Sequence, residues 1–282
     1  MNILITGCNG QLGNEIKLLQ AKYAQHTWFN TDVNELDITD KAAIEHFVES
    51  NEIGGIVNCA AYTAVDKAES DLLLARKLNA DAPAFLAEAV ARRGGWVVQV
   101  STDYVFNGTK HTPYVESDEP CPNSVYGQTK LEGEQAVAKF CPNSMIIRTA
   151  WLYSEFGNNF VKTMIRLGRE REQLGVIFDQ VGTPTYAHDL AMVIMTAIDS
   201  GIKPGVYHFS NEGVTSWYDF TKSIHRLSGI NTCQVSPLHT AEYTTPACRP
   251  AYSVLDKTKI KAAYGIEIPH WEESLAKCIA KL

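Results

Sequence analysis

The seven cysteines (Cys8, Cys59, Cys121, Cys141, Cys233, Cys248 and Cys278) are odd in number and include no C-x-x-C pair. That argues against a zinc ribbon or a disulfide scaffold and reads as the reduced thiols of a cytoplasmic protein. The eight histidines follow no ligand spacing, so no metal site is expected. Positive charge is in deficit: 25 Lys and Arg face 32 Asp and Glu, a formal net charge of −7. The basic residues are scattered singly, and no nucleic-acid partner is expected. Long apolar runs are missing too. The most apolar helical stretch, 190–198, falls well short of the roughly 20 residues that cross a bilayer, so no membrane association is expected. The N-terminus passes straight into a strand pattern, without signal-peptide features. Internal repeats and low-complexity tracts are absent.

What the chain does have is core. Of its 282 residues 45% are hydrophobic, enough for one large α/β domain or one domain with a smaller lobe. An apolar strand at 2–6 leads through a glycine-rich turn into a helix from about 12 to 23. A strand at 27–31 ends at Asp32, and Thr39 is expected to cap a helix over 40–49. A buried strand follows at 56–61, then helices at 67–79 and 83–93, a strand at 96–101, a helix ending near 140 and a strand at 145–149. This alternation predicts a parallel sheet covered on both faces, with ligands at the carboxyl ends of its strands. The expected fold class is therefore α/β, a Rossmann-type doubly wound sheet with a smaller, interleaved C-terminal lobe. Residues 1–150 form the expected dinucleotide-binding domain, to which the chain returns at about 186–210. The substrate lobe takes 151–185 and 211–282. Within it 160–172 is amphipathic, 174–178 reads as a strand, and 187–200 and 216–228 read as helices. The stretch 236–252 holds three prolines and is expected to be a loop over the site.

The turn Gly7-Cys8-Asn9-Gly10-Gln11-Leu12-Gly13 follows the first strand and opens a helix. A pyrophosphate can approach backbone N–H groups there. The spacing is G-x-x-G-x-x-G, and an ordinary glycine-rich turn is the alternative. Asp32 is placed to accept from an adenosine ribose hydroxyl, or it is simply a strand-end turn residue. A carboxylate there would repel the 2′-phosphate of NADP, so these residues alone favour NADH slightly. Asp37 and Ile38 are expected beside the adenine, and Ala60, Ala61, Tyr62 and Thr63 along the ribose.

Further on, Tyr126 stands four residues before Lys130, one helical turn apart on the same face. Reducing a ketone needs a proton on oxygen. A tyrosine hydroxyl can give it, but an unperturbed pKa of about 10 makes it hard to recycle. The lysine charge is expected to draw that pKa down. Thr102, in the strand between the two motifs, can polarise the same oxygen. Val65, Asp103 and Tyr104 are candidates to flank the substrate. Trp151 either stacks on it or packs between lobes. Arg249 either neutralises a diphosphate or is a surface arginine.

The glycine turn and the Tyr126-x-x-x-Lys130 pair resemble the extended short-chain dehydrogenase/reductase family. Further segments carry the likeness over nearly the whole chain: Val57-Asn-Cys-Ala-Ala-Tyr-Thr-Ala-Val-Asp-Lys-Ala-Glu69, Ser101-Thr-Asp-Tyr-Val-Phe106, Val125-Tyr-Gly-Gln-Thr-Lys-Leu-Glu-Gly-Glu134, Arg148-Thr-Ala-Trp-Leu-Tyr153 and Arg249-Pro-Ala-Tyr-Ser-Val-Leu255. Among family members these resemble the reductases that complete dTDP-L-rhamnose. The resemblance implies a Thr102, Tyr126, Lys130 triad and NADPH or NADH in the first domain. It also implies a dTDP-deoxysugar, with a 4-keto group to be reduced, in the second. Some relatives bind magnesium at a subunit interface; no full ligand set matches here, and a homodimer is the most that is expected. Related dehydratases carry Thr-Asp-Glu where this chain has Thr102-Asp103-Tyr104, which disfavours elimination. A nucleotide-sugar epimerase and a catalytically silent cofactor-binding subunit remain as alternatives.

Overall fold

The computed structural model describes residues 1–282. Its main sheet is built from β1 (Asn2–Thr6), β2 (Thr27–Thr31), β3 (Ile53–Asn58), β4 (Trp96–Thr102), β5 (Met145–Thr149) and, much later in the chain, β10 (Gly205–His208). The order is β10-β5-β4-β3-β1-β2, and every pairing is parallel. From β1 the chain winds out to β2, then back across to β3. The loops after β1 and β3 therefore part at the carboxyl edge and leave a crevice between them.

Helices cover both faces. On one lie α1 (Gln11–Leu19) and α8 (Ala187–Ser200), whose Leu12, Ile16, Leu190 and Ile194 share a core with Ile3, Ile5, Val57 and Ile147. On the other lie α2 (Lys41–Ser50), α5 (Ala82–Ala91) and α6 (Val125–Phe140), packed through Ile44, Leu86, Val90 and Val137 onto Leu4, Ile56 and Val97. Strand residues that are apolar on both sides are what a parallel sheet buried on two faces requires. Two short helices, α3 (Val65–Ala68) and α4 (Leu72–Arg76), precede α5.

A third core belongs to the other lobe. It gathers α7 (Phe160–Glu170), α9 (Trp217–Leu227) and α11 (Trp271–Ile279) around Tyr153, Tyr186, Phe220 and Leu275. Short pairs complete it: β6 (Leu152–Tyr153) with β9 (Thr185–Tyr186), β8 (Val181–Gly182) with β11 (Thr215–Ser216), and β7 (Gln173–Ile177) with β12 (Gln234–Leu238). Helix α10 (Thr258–Tyr264) sends Ile260 back into the first core.

Four expectations change. Asp40, not Thr39, caps α2 by accepting from the Ala42 and Ala43 N–H groups at 2.9 and 3.1 Å, while the Thr39 hydroxyl donates to Asp37. The third strand runs 53–58, and its start includes Gly54 and Gly55, which carry no strand signal: a Cβ on Gly55 would collide with the Trp96 indole, while Gly54 faces the Met1 side chain. The expected helix at 67–79 breaks into α3 and α4, then passes through a π-helical turn, Lys77–Asp81, into α5. Finally, 234–238 is a strand despite Pro237. Its only neighbour is β7, so the missing N–H falls on an edge.

Candidate active site

The crevice holds a cavity of about 750 Å³, lined by both lobes. Its floor is the glycine turn. Gly7 takes φ +61°, and a Cβ on it would sit 2.8 Å from the Ala60 backbone. A Cβ on Gly13 would sit 2.4 Å from the Gly7 carbonyl oxygen. Only glycine lets β1, α1 and the loop after β3 close this tightly. Gly10 is the N-cap of α1 and brings no side-chain hydrogen bond, so the first-turn N–H groups meet the cavity without a side-chain cap. Such a cradle of bare N–H groups fits a dinucleotide pyrophosphate.

Most of the singled-out residues meet here: Gly7, Gly10, Gln11, Leu12, Gly13, Asp32, Asp37, Ile38, Ala60, Ala61, Thr63, Val65, Thr102, Asp103, Tyr104, Tyr126, Lys130 and Trp151 all line the cavity. Three stand back from it. Asn9 points outward and accepts from Lys17, while its N–H donates to Asp32 Oδ2 at 3.1 Å. The Tyr62 hydroxyl turns away to donate to Asp71. Arg249 is held by a bidentate pair with Asp66 at 2.9 and 2.7 Å, so its charge is already matched.

Tyr126 and Lys130 lie on the inner face of α6, whose start is fixed by Ser124 Oγ accepting from the Gly127 N–H at 3.1 Å. Lys130 Nζ donates to the Val100 carbonyl oxygen at 2.7 Å. Burial pulls its pKa down to about 8, partly offset by Glu134 and Cys59. Burial also dominates at Tyr126, raising the phenol to about 12 against the pull of the Thr102 hydroxyl. The expected lowering by Lys130 is not among the influences on it, and the phenol is protonated at neutral pH. Thr102 ends β4. Its hydroxyl donates to Asp103 Oδ1 at 3.0 Å and accepts from the Tyr104 N–H at 3.2 Å. Burial raises Asp103 to about 6, and its Oδ2 is buried without a partner. The Tyr104 ring meets Tyr126 edge-on at 5.5 Å, and burial lifts its phenol far above the ordinary range.

On the far wall Trp151 stacks on Trp217 with centroids 3.5 Å apart, and both line the cavity. Trp151 joins the lobes and faces the cleft at once. Its backbone sits at φ +48°, an unusual region for a bulky residue, and its indole rests against Gly182, where a Cβ would not fit.

Sequence reasoning passed over several residues that shape this site. Trp217 left only a helix-start signal at Ser216. Asn79, buried in the π-helical turn, accepts from the Tyr62 N–H at 2.8 Å and donates to the Thr129 hydroxyl at 3.2 Å, tying the loop after β3 to α6. Glu134 and Arg148 form a buried ion pair at 2.7 Å beneath Lys130. A polar residue in an apolar helical stretch gives no sign of its partner until the fold is known.

Comparison with known proteins agrees with this geometry. The family model described as RmlD substrate binding domain matches residues 1–282. The chain belongs to that family. It is 41% identical to the dTDP-4-dehydrorhamnose reductase of Aggregatibacter actinomycetemcomitans, over 97% of this chain and 96% of that protein. Among solved structures, a dTDP-4-dehydrorhamnose reductase from Clostridium acetobutylicum superposes with a TM-score of 0.96 at 47% identity, covering 100% of this chain and 99% of its own. The Bacillus anthracis dTDP-4-dehydrorhamnose reductase, solved in complex with NADP, gives 0.95 at 38% identity, with coverage of 100% and 99%.

Proposed function

We infer that this protein reduces the 4-keto group of dTDP-4-dehydro-6-deoxy-L-mannose to give dTDP-L-rhamnose, using NADPH or NADH. The observation that carries this reading is the placement of Thr102, Tyr126 and Lys130 on one cavity whose floor is the glycine cradle. The family and its reductase members support the substrate class. Gly7, Gly10 to Gly13, Asp32, Ala60 and Lys130 would hold the cofactor. Bound there, the reduced nicotinamide would supply a hydride, one hydrogen with its electron pair, to the carbonyl carbon. Tyr126 donates its phenolic proton to the carbonyl oxygen, and the Thr102 hydroxyl, turning its proton from Asp103 Oδ1 to that oxygen, polarises it. Lys130 holds positive charge beside the tyrosinate that forms. Val65, Tyr104 and Trp151 would flank the sugar and base, and Asp103 fixes the Thr102 rotamer.

No carboxylate stands where elimination would need its base; residue 104 is a tyrosine whose phenol burial keeps protonated. The test is to mix the protein with dTDP-4-dehydro-6-deoxy-L-mannose and follow nicotinamide absorbance. Steady oxidation in step with dTDP-L-rhamnose supports the reading. Sugar interconversion without net oxidation would replace it with an epimerase. A two-lobed division at about 150, a cytoplasmic location and a homodimeric state belong to the same proposal. Seven cysteines without a disulfide fit the cytoplasm, and light scattering reads the oligomeric state.

A further inference from the structure

Three successive residues of β4 reach three successive turns of one helix face. Thr102 lies beside Tyr126, the Val100 carbonyl accepts from Lys130 Nζ, and the Ser101 hydroxyl donates to Glu134 Oε1 at 2.5 Å. Residues 126, 130 and 134 share a side of α6 because four residues return the helix to the same face. Glu134 thus extends the line of Tyr126 and Lys130 inward, below the cavity. Its carboxylate is buried with 4% side-chain exposure and takes Arg148 Nε and Nη2 at 3.0 and 2.7 Å. Arg148 sits on β5 directly opposite Ser101. It has no other carboxylate partner, and its Nη1 is buried without one.

We propose that Glu134 is a positioning residue for the reduction: its carboxylate, shared between Arg148 and Ser101, sets the place and the charge of the Lys130 ammonium. This rests on the reductase reading for the role of Lys130, but the link between Glu134 and Lys130 does not. A buried lysine with only a carbonyl oxygen to donate to loses its proton easily. The neighbouring carboxylate opposes that loss, and Arg148 moderates how strongly. The groups facing Lys130 are few. Glu134 comes from α6 and Cys59 from the loop after β3, while Asp103, in the turn after β4, acts on Tyr126. Behind Arg148 stands His208 of β10, which burial and the guanidinium hold down at about 3, so it adds no charge.

The test reads Lys130 itself. In unliganded protein carrying ¹³C-labelled lysine, the Lys130 resonance is assigned by its loss in Lys130→Met and titrated with pH. Glu134→Gln should lower its midpoint by about half a unit or more, and Arg148→Met should raise it. Removing one partner of a buried pair is the change most prone to unfold a protein. The double variant Glu134→Gln/Arg148→Met removes both charges and should titrate between the two single variants. Should Glu134→Gln fail to fold, the rise in Arg148→Met alone decides. In steady state, the high-pH limb of kcat for ketosugar reduction should move with each midpoint. Midpoints that stay in place while thermal stability falls would mean a purely structural ion pair and overturn the proposal. So would a high-pH limb that ignores a shifted midpoint. If the wild type turns over no ketosugar at all, the reductase reading fails, and the NMR titration still judges Glu134.

Discussion

On one side of the cleft the backbone makes the site; on the other, side chains from distant segments make it. The glycine floor presents N–H groups from one continuous stretch, β1 to α1, with no room for a Cβ at Gly7 or Gly13. The opposite wall is assembled from Trp151, Trp217 and the Tyr104 turn, with the Asp66–Arg249 pair near Tyr104 but outside the lining. A rigid backbone cradle fixes the place of a pyrophosphate, whereas a wall of separate side chains can be altered piece by piece without disturbing the floor.

The largest effect is expected where the two sides meet. Tyr126→Phe keeps the ring and removes the proton donor, so kcat should fall by roughly 10²–10⁴ while NADPH affinity stays near wild type in a fluorescence titration. A variant that loses cofactor affinity as well would mean that Tyr126 belongs to the floor.

Next comes the floor. Gly13→Ala places a methyl 2.4 Å from the Gly7 carbonyl oxygen. Overpacking of this kind costs about 1–3 kcal/mol, and the expected result is a lower melting temperature together with weaker NADPH binding. An alanine variant with unchanged cofactor affinity would show that the turn is not a close-fitting cradle.

Asp32 comes third, one of two carboxylates, with Asp37, that the sequence placed at the adenosine end. Its Oδ2 accepts from the Asn9 N–H, and the carboxylate lines the cavity. Asp32→Ala should shift the ratio of kcat/KM for NADPH over NADH toward NADPH by about 1–3 kcal/mol. A fixed ratio would reduce Asp32 to a brace for the turn.

The smallest effect belongs to the outer wall. Asp66→Asn loosens a pair whose side chains are 40% and 22% exposed for Asp66 and Arg249. Stability should change by no more than about 1 kcal/mol, while KM for the sugar nucleotide rises and KM for NADPH does not. Equal changes in both would contradict the assignment of this pair to the substrate side.

The same asymmetry explains what could be read from the residues. The floor was legible because its signal is local, a glycine turn between an apolar strand and a helix, and so was the tyrosine and lysine pair one turn apart where the two sides meet. That the sheet is parallel, and that the chain returns to it at 205–208, followed from the alternation; the order β10-β5-β4-β3-β1-β2 is known only from the fold. The wall was less so. Trp151 was a candidate for its place after β5, but nothing near it in sequence announced Trp217. Arg249 was left open between a diphosphate and the surface, and its pairing with Asp66, more than 180 residues away, could not be read from either segment. Burial set the Tyr126 phenol at about 12, where charge alone suggested a lower value. Pairings across long separations and the extent of desolvation belong to the folded chain, not to any short window of it.

In this reaction a hydride goes from cofactor to sugar carbon and a proton from Tyr126 to oxygen. Supplying NADPH deuterated at the transferring position of C4 with dTDP-4-dehydro-6-deoxy-L-mannose tests it most directly. The account predicts dTDP-L-rhamnose carrying one deuterium at the sugar C4, in step with the cofactor oxidised. Sugar product without deuterium, and without net cofactor oxidation, would contradict it.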